Sequence, residues 1–172
     1  MKFNSLGSSG LSVSEICLGS MTWGMQNNQA DADQQLAIAL DAGINFIDTA
    51  EMYAVPPSPQ TYGKTEAIIG NWLSRNGAKR NELIIASKIA GPGLSWVREG
   101  SPMSGQSVCQ AVDASLQRLQ TDYIDLYQLH WPNRTSPHFG KHWHNDISFT
   151  DVDHRQTTEQ MLDILEGLQR CI

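Results

Sequence analysis

The sequence lacks several features that mark large classes of protein. It has no apolar run near the roughly 20 residues that a membrane-spanning helix needs, and its first residues hold no apolar segment typical of a secretion signal. Its cysteines, Cys17, Cys109 and Cys171, are odd in number and widely spaced, and no Cys-x-x-Cys pair occurs. Together these features predict reduced thiols in a cytoplasmic protein rather than a disulfide framework.

A basic face and a dinucleotide fingerprint are also missing. The net charge of −6 argues against nucleic-acid binding, because phosphate recognition needs clustered lysine and arginine. Gly19 and Gly24 have four residues between them, so they do not match the Gly-x-Gly-x-x-Gly pattern of the doubly wound dinucleotide fold. The composition is otherwise that of a globular protein, 40% hydrophobic and 17% charged over 172 residues, which predicts one domain with a core.

The hydrophobic pattern alternates between short strands and amphipathic helices. Residues 2–6 and 11–13 flank a glycine-containing turn and predict a hairpin. Four short apolar strands follow, each before a helical stripe, at 16–18, 44–47, 83–88 and 123–130. Asp31 and Thr157 are predicted to cap the first and last helices, and Ser104 the third. This order predicts parallel strands joined by right-handed crossovers.

Two architectures fit the order: an open doubly wound sheet, or the first units of a parallel (β/α)8 barrel. The missing glycine fingerprint favours the barrel. A complete barrel takes about 250 residues, so four units supply about half of it. We therefore expect residues 1–172 to form a single incomplete α/β domain, the N-terminal half of a barrel, whose open sheet edges favour self-association.

Three of the predicted strands end in ionisable residues. Asp48, Lys88 and His130 close consecutive strands, and Tyr53 follows Asp48 in a proline-containing loop that cannot become a helix. The carboxyl ends of parallel strands share one face, where ligands bind, so these groups are predicted to meet there. The carboxylate would keep the lysine charged, and the ammonium would lower the pKa of the phenol from its usual value of about 10. Such a set suits proton donation to a carbonyl oxygen.

The segments that contain these residues resemble the aldo-keto reductase family. The matching motifs are Asp48-Thr49-Ala50-Glu51-Met52-Tyr53, then Ala86-Ser87-Lys88, and then the run from Asp122 to Pro132 around His130. The resemblance extends from Gly10 to the end of the chain and is greatest for the bacterial Tas-like NADP(H)-dependent members. It implies a (β/α)8 barrel, NADPH as the cofactor, and reduction of a small-molecule aldehyde or ketone to an alcohol.

The same resemblance implies roles for individual residues. Tyr53 would be the general acid, Lys88 and Asp48 would tune it, and His130 would orient the carbonyl. Asp48 would also approach the nicotinamide end of the cofactor, as would the loop after the first strand, which contains Gly19, Ser20, Met21 and Gln26. The family holds the rest of the cofactor with a Ser-Asn pair and a basic loop in its second half, which is not in this chain. The 172-residue chain is therefore expected to bind NADPH weakly or not at all.

Other interpretations remain open. Members of the resembled family serve as nicotinamide-sensing subunits of membrane channels, so a non-catalytic binding role is an alternative, as is an inert fragment. Trp23 and Trp131 follow strand ends and either wall a substrate cleft or simply pack. No metal is expected, because the histidines of the loop after residue 131 lie near no cysteine and match no familiar zinc spacing; they are His138, His142, His144 and His154.

Overall fold

A computed structural model describes residues 1–133 and 154–172. An antiparallel hairpin, β1 (Phe3–Ser5) and β2 (Ser12–Ser14), precedes a four-stranded sheet. The sheet has the order β3 (Cys17–Gly19), β4 (Phe46–Asp48), β5 (Ile84–Ile89) and β6 (Leu126–Leu129), and the pairs β3–β4 and β4–β5 are parallel. The helices of the described residues are α1 (Gln29–Asp41), α2 (Lys64–Arg75), α3 (Gly105–Leu119) and α4 (His154–Gln169). The predicted hairpin and the parallel strand-helix order are therefore confirmed.

The described residues divide into two compact units, residues 1–88 with 114–128, and residues 89–113 with 129–133 and 154–172. In the first unit, sheet residues such as Ile47 and Ile85 are fully buried against an apolar cluster that includes Leu36, Ile69, Trp72, Leu73 and Leu119. Trp23 belongs to this core, and its indole N–H donates to Gln35 Oε1 at 2.7 Å. Trp23 therefore packs rather than walls a cleft.

Two predicted helix caps are wrong. The cap of α1 is Asn28, whose side chain accepts from the backbone N–H groups of Ala30 and Asp31, while Asp31 is the reciprocal partner in the capping box. Asn28 caps α1 because its amide oxygen reaches two N–H groups that the first turn leaves unbonded. Helix α4 begins at His154, so Thr157 lies inside it. The three residues before Thr157 contain no proline or glycine and so extend the helix.

In the second unit, the start of α3 agrees with its predicted cap. The Ser104 side-chain oxygen accepts from the Ser107 backbone N–H at 3.2 Å, directly before the first residue of α3. Trp131 is buried, and its indole N–H donates to the Pro92 carbonyl at 3.0 Å, so this tryptophan also packs. No helix within residues 1–133 and 154–172 is long and apolar enough to cross a membrane.

Candidate active site

Asp48 and Lys88 meet at the carboxyl ends of β4 and β5. The two strands are parallel neighbours, and Asp48 is in register with Ala86, two residues before Lys88. Because side chains alternate along a strand, Ala86 and Lys88 face the same side of the sheet. Lys88 Nζ donates to Asp48 Oδ2 at 2.6 Å and to the Thr49 carbonyl at 2.8 Å. The side chains of Lys88 and Asp48 are 12% and 29% exposed, so solvent only partly screens this ion pair.

Tyr53 lies beside this pair. Lys88 Nζ is 4.9 Å from the centroid of its ring, within the range of a cation–π contact. The loop that carries Tyr53 is held by backbone hydrogen bonds: the Tyr53 N–H donates to the Ala50 carbonyl at 3.1 Å, and the Glu51 N–H donates to the Lys88 carbonyl at 3.2 Å. The structure thus brings Asp48, Tyr53 and Lys88 together.

The pKa of Tyr53 differs from the expectation. Burial of the phenol, and then the negative charge of Asp48, raise its pKa to about 12, so the prediction of a lowered pKa is wrong. The physical reason is that desolvation penalises the phenolate, and the carboxylate beside the ammonium adds a charge of the same sign as the phenolate. A phenol with this pKa is fully protonated at neutral pH and is therefore available as a proton donor.

His130 lies in the second unit. It directly follows β6, and its backbone N–H donates to the Ile89 carbonyl at 2.9 Å. Its ring centroid is 5.1 Å from that of Trp131, with an angle of 51° between the planes. These contacts fix its place at the end of β6, whereas the other three predicted site residues belong to the first unit.

The loop after β3 has room beside Asp48. Gly19 is in register with Asp48, and a Cβ built on Gly19 would meet no atom within 4 Å. Both the backbone N–H and the hydroxyl of Ser20 donate to the Asp48 carbonyl, at 3.1 and 2.7 Å. Met21 is 50% exposed, and Gln26 is exposed at the end of the same loop. This loop thus offers open space, an exposed apolar side chain and a partly exposed carboxylate next to one another.

Sequence reasoning missed a second set of polar residues in the first unit. Glu51 and Glu66 are fully buried, and Arg118 donates to the Glu66 carboxylate at 2.6 Å. The sequence does contain a signal for Glu66: it lies three and seven positions before Ile69 and Leu73, on the apolar stripe of α2. A charged residue on a buried stripe predicts a buried partner.

A surface groove lies elsewhere in the first unit, and the described residues hold no candidate metal cluster. A groove of about 570 Å³ in the first unit contains none of the predicted site residues; its lining includes Leu73, Gly77, Arg80, Leu116, Gln120 and Asp122. No group of three or more His, Cys, Asp or Glu side chains in the described ranges could hold a metal ion. His138, His142 and His144 lie outside those ranges.

Comparison with known sequences finds relatives over nearly the whole chain. The model of the aldo/keto reductase family matches residues 15–171. The chain is 45% identical to Protein tas of Escherichia coli (strain K12) over 174 residues, covering 99% of this chain and 49% of that protein. It is 38% identical to the uncharacterized oxidoreductase YrpG of Bacillus subtilis (strain 168) over 141 residues, covering 80% of this chain and 42% of that protein.

Solved structures agree. A Pseudomonas aeruginosa protein assigned to the aldo-keto reductases matches with a TM-score of 0.66 and 26% identity, covering 98% of this chain and 54% of that one. The holo form of an aldo-keto reductase from Bacillus halodurans matches with a TM-score of 0.61 and 35% identity, covering 75% of this chain and 40% of that one. The predicted fold class, parallel units of a (β/α)8 barrel, is confirmed, and the chain spans about half the length of the relatives it matches.

Proposed function

The chain belongs to the aldo/keto reductase family, and we propose that it is the N-terminal half of an NADP(H)-dependent oxidoreductase that reduces aldehydes or ketones to alcohols. The observation that carries the proposal is the ammonium of Lys88, held by Asp48 at 2.6 Å and lying 4.9 Å from the ring of Tyr53. An amine and a carboxylate beside a buried phenol form a proton-transfer site, and such sites are where perturbed pKa values concentrate.

In this proposal Tyr53 donates a proton to the oxygen of the substrate carbonyl. NADPH supplies the hydride for the carbonyl carbon when it is bound. At a pKa of about 12 the phenol of Tyr53 is protonated at neutral pH, as an ordinary phenol also is; it is a weaker acid than an ordinary phenol but a stronger one than an aliphatic alcohol. Lys88 stabilises the phenolate that proton transfer leaves behind, and Asp48 holds Lys88 in place. The proposed role of His130, orienting the carbonyl, rests on the sequence resemblance.

The cofactor contacts proposed for this half are those of the nicotinamide end, with Asp48 and the loop residues Gly19, Ser20, Met21 and Gln26. Asp48 Oδ2 already accepts from Lys88, and a carboxylate has further acceptor sites for a ribose hydroxyl. The loop residues have no positive charge, so they offer no ion pair to the cofactor phosphates. Binding by the 172-residue chain alone is therefore expected to be weak or absent.

The test compares the chain alone with a chimera in which it replaces the matching half of Protein tas. Aldehyde- and ketone-dependent loss of NADPH absorbance is measured for both, and NADPH affinity by fluorescence titration. We expect turnover in the chimera alone, and a Tyr53→Phe substitution to lower kcat by about 10²- to 10⁴-fold, the usual contribution of a general acid. Tyr123→Phe, at a tyrosine that is 41% exposed, is the matched control and should leave kcat unchanged.

The outcomes separate the competing functions. Lost turnover with retained NADPH affinity in Tyr53→Phe supports the enzyme. A chimera that binds NADPH but shows no turnover supports a non-catalytic nicotinamide-binding role, and turnover that is unchanged in Tyr53→Phe would remove Tyr53 from the mechanism. Micromolar NADPH affinity for the chain alone would contradict the expectation that the 172-residue chain binds NADPH weakly or not at all. Sedimentation of the chain tests the proposed self-association through open sheet edges, and a monomer counts against it.

A further inference from the structure

A buried ion pair lies behind the candidate active site in the first unit. Glu66 of α2 is fully buried, and its carboxylate accepts from Arg118 Nε at 2.6 Å and from the Ser87 hydroxyl at 2.5 Å. Arg118 also donates to the Ser115 hydroxyl at 3.2 Å. Burial alone would lower the pKa of Arg118, but the charge and hydrogen bond of Glu66 raise it overall, so the guanidinium stays charged. One pair thus joins helices α2 and α3 to strand β5.

This pair reaches the active site through Ser87. Ser87 directly precedes Lys88 in β5, and neighbouring side chains in a strand point to opposite faces. Glu66 therefore holds β5 from the face opposite the one on which Lys88 contacts Asp48. A shift of Ser87 would rotate the same short stretch of backbone that aims Lys88 at its partners.

A second connection runs through Glu51 to Tyr53. The Tyr62 hydroxyl donates to the buried Glu51 carboxylate at 3.0 Å, and Arg118 lies over the Tyr62 ring at 5.3 Å. The backbone of Glu51 is held on both sides, since its N–H donates to the Lys88 carbonyl and its carbonyl accepts from the Gly63 N–H at 2.9 Å. Glu51 lies two residues before Tyr53, so Arg118 supports the loop that carries the phenol.

Arg118 also packs tightly where that loop meets α2. Gly63, the residue before the first residue of α2, has a φ of 73°, and a Cβ built on it would lie 2.6 Å from Arg118 Cδ. The arginine thus occupies the space that any other residue at position 63 would need. Its side chain is fixed by two neighbours at once, the Glu66 carboxylate and the Gly63 backbone.

We infer that Glu66 and Arg118 are positioning residues that hold Lys88 and Tyr53 in place for the proton transfer. This inference rests on the proposed function, but its physical content is testable without turnover. Neither residue contacts the substrate in this account; Glu66 acts through Ser87, and Arg118 acts through Tyr62 and Glu51.

The experiment measures how freely Lys88 moves. The 172-residue chain is treated with an amine-reactive succinimidyl ester, and labelling of Lys88 is followed by peptide mass spectrometry relative to exposed Lys79 on the same chain. We expect Glu66→Gln and Arg118→Met each to raise the Lys88 to Lys79 labelling ratio about tenfold, the factor expected for losing a hydrogen bond to a charged group. Ser87→Ala, which removes only one hydroxyl, should raise it less.

The matched control is Arg80→Met. Arg80 and Asp125 form another buried pair in the same unit, at 2.8 Å with side chains 10% and 9% exposed, and Asp125 accepts from β5 at the Ile85 N–H, at 2.9 Å, rather than at Ser87. An unchanged ratio in Arg80→Met, with a raised ratio in Glu66→Gln and Ser87→Ala, supports the inference.

Two results would overturn it: unchanged Lys88 labelling in Glu66→Gln and Arg118→Met, or an equal rise in Arg80→Met, which would indicate general destabilisation. If Glu66→Gln does not fold, Ser87→Ala decides the question alone, because it keeps both charges of the pair. If the chimera shows no Tyr53-dependent turnover but Lys88 labelling still rises in Glu66→Gln, the proposed function is wrong, whereas the coupling of Glu66 to Lys88 is supported.

Discussion

Replacing Lys88 with methionine removes the cation at the centre of the candidate site while keeping much of the side-chain volume. Lys88 makes two hydrogen bonds from its ammonium, to Asp48 at 2.6 Å and to the Thr49 carbonyl at 2.8 Å. Hydrogen bonds to charged groups contribute roughly 1.5–3 kcal/mol when buried. Asp48 is 29% exposed, so water replaces part of what the carboxylate loses.

We therefore expect Lys88→Met to lower the free energy of unfolding by about 2 kcal/mol, between the values typical of surface and buried ion pairs. For a chain of this size, that loss corresponds to a fall in Tm of about 4–8 °C. Urea denaturation followed by circular dichroism measures the first quantity, and calorimetry measures the second. Lys79→Met, at an exposed lysine, is the matched control and should change stability by less than about 0.5 kcal/mol.

A double-mutant cycle makes the test specific to the pair. The second substitution is Asp48→Asn. The stability loss of the double mutant should be smaller than the sum of the two single losses by about 1–2 kcal/mol, because removing either partner already breaks the same interaction. Strictly additive losses, or a Lys88→Met effect no larger than that of Lys79→Met, would refute the conclusion that the Lys88–Asp48 contact holds the site together.

Three further predictions follow from the same unit. Desolvation, and then the charge of Asp48, raise the pKa of the Cys17 thiol to about 11. Asp48→Asn should therefore lower that pKa and speed labelling of the thiol at pH 9, and an unchanged labelling rate would contradict this. The pKa of Tyr53 is about 12 in the folded state, above its usual value of about 10. Its contribution to stability is therefore present below pH 10 and is lost as the pH rises through 12. In denaturation measurements, the free energy of unfolding of Tyr53→Phe should fall less steeply at alkaline pH. Gly70→Ala should destabilise by about 1–3 kcal/mol because its methyl would overlap backbone atoms of α3, whereas Gly77→Ala, where a Cβ meets nothing within 4 Å, should be close to neutral in the same denaturation assay.

Much of the fold follows from local sequence. The apolar stretches before Asp48 and His130 predict strands because their side chains suit burial in a sheet, and the helical stripes between them predict crossovers and hence parallel strands. Parallel order places the strand ends on one edge, which is why the meeting of Asp48 with Lys88 is predictable without coordinates. The family resemblance adds chemistry that spacing alone does not contain.

Helix starts are less predictable, since several polar residues near a boundary compete as caps. Both Asn28 and Asp31 have side chains that can cap a helix. In the structure Asn28 is the cap residue just before α1, and Asp31, in the first turn, accepts a hydrogen bond from the Asn28 backbone. The role of Trp23 had two local interpretations, and only the surrounding core, in which its indole meets Gln35, decides between them.

By itself, the sequence determined the strand-helix order, the family and the three residues, Asp48, Tyr53 and Lys88, that meet in the first unit. Periodicity and motif spacing are properties of neighbouring residues, so one chain contains them in full. Only the tertiary structure decided that the Tyr53 phenol has a raised pKa and that Arg118 lies against Glu66, 52 positions away in the sequence. Burial and electrostatic environment are sums over residues that folding brings together from distant parts of the chain, and no local pattern contains those sums.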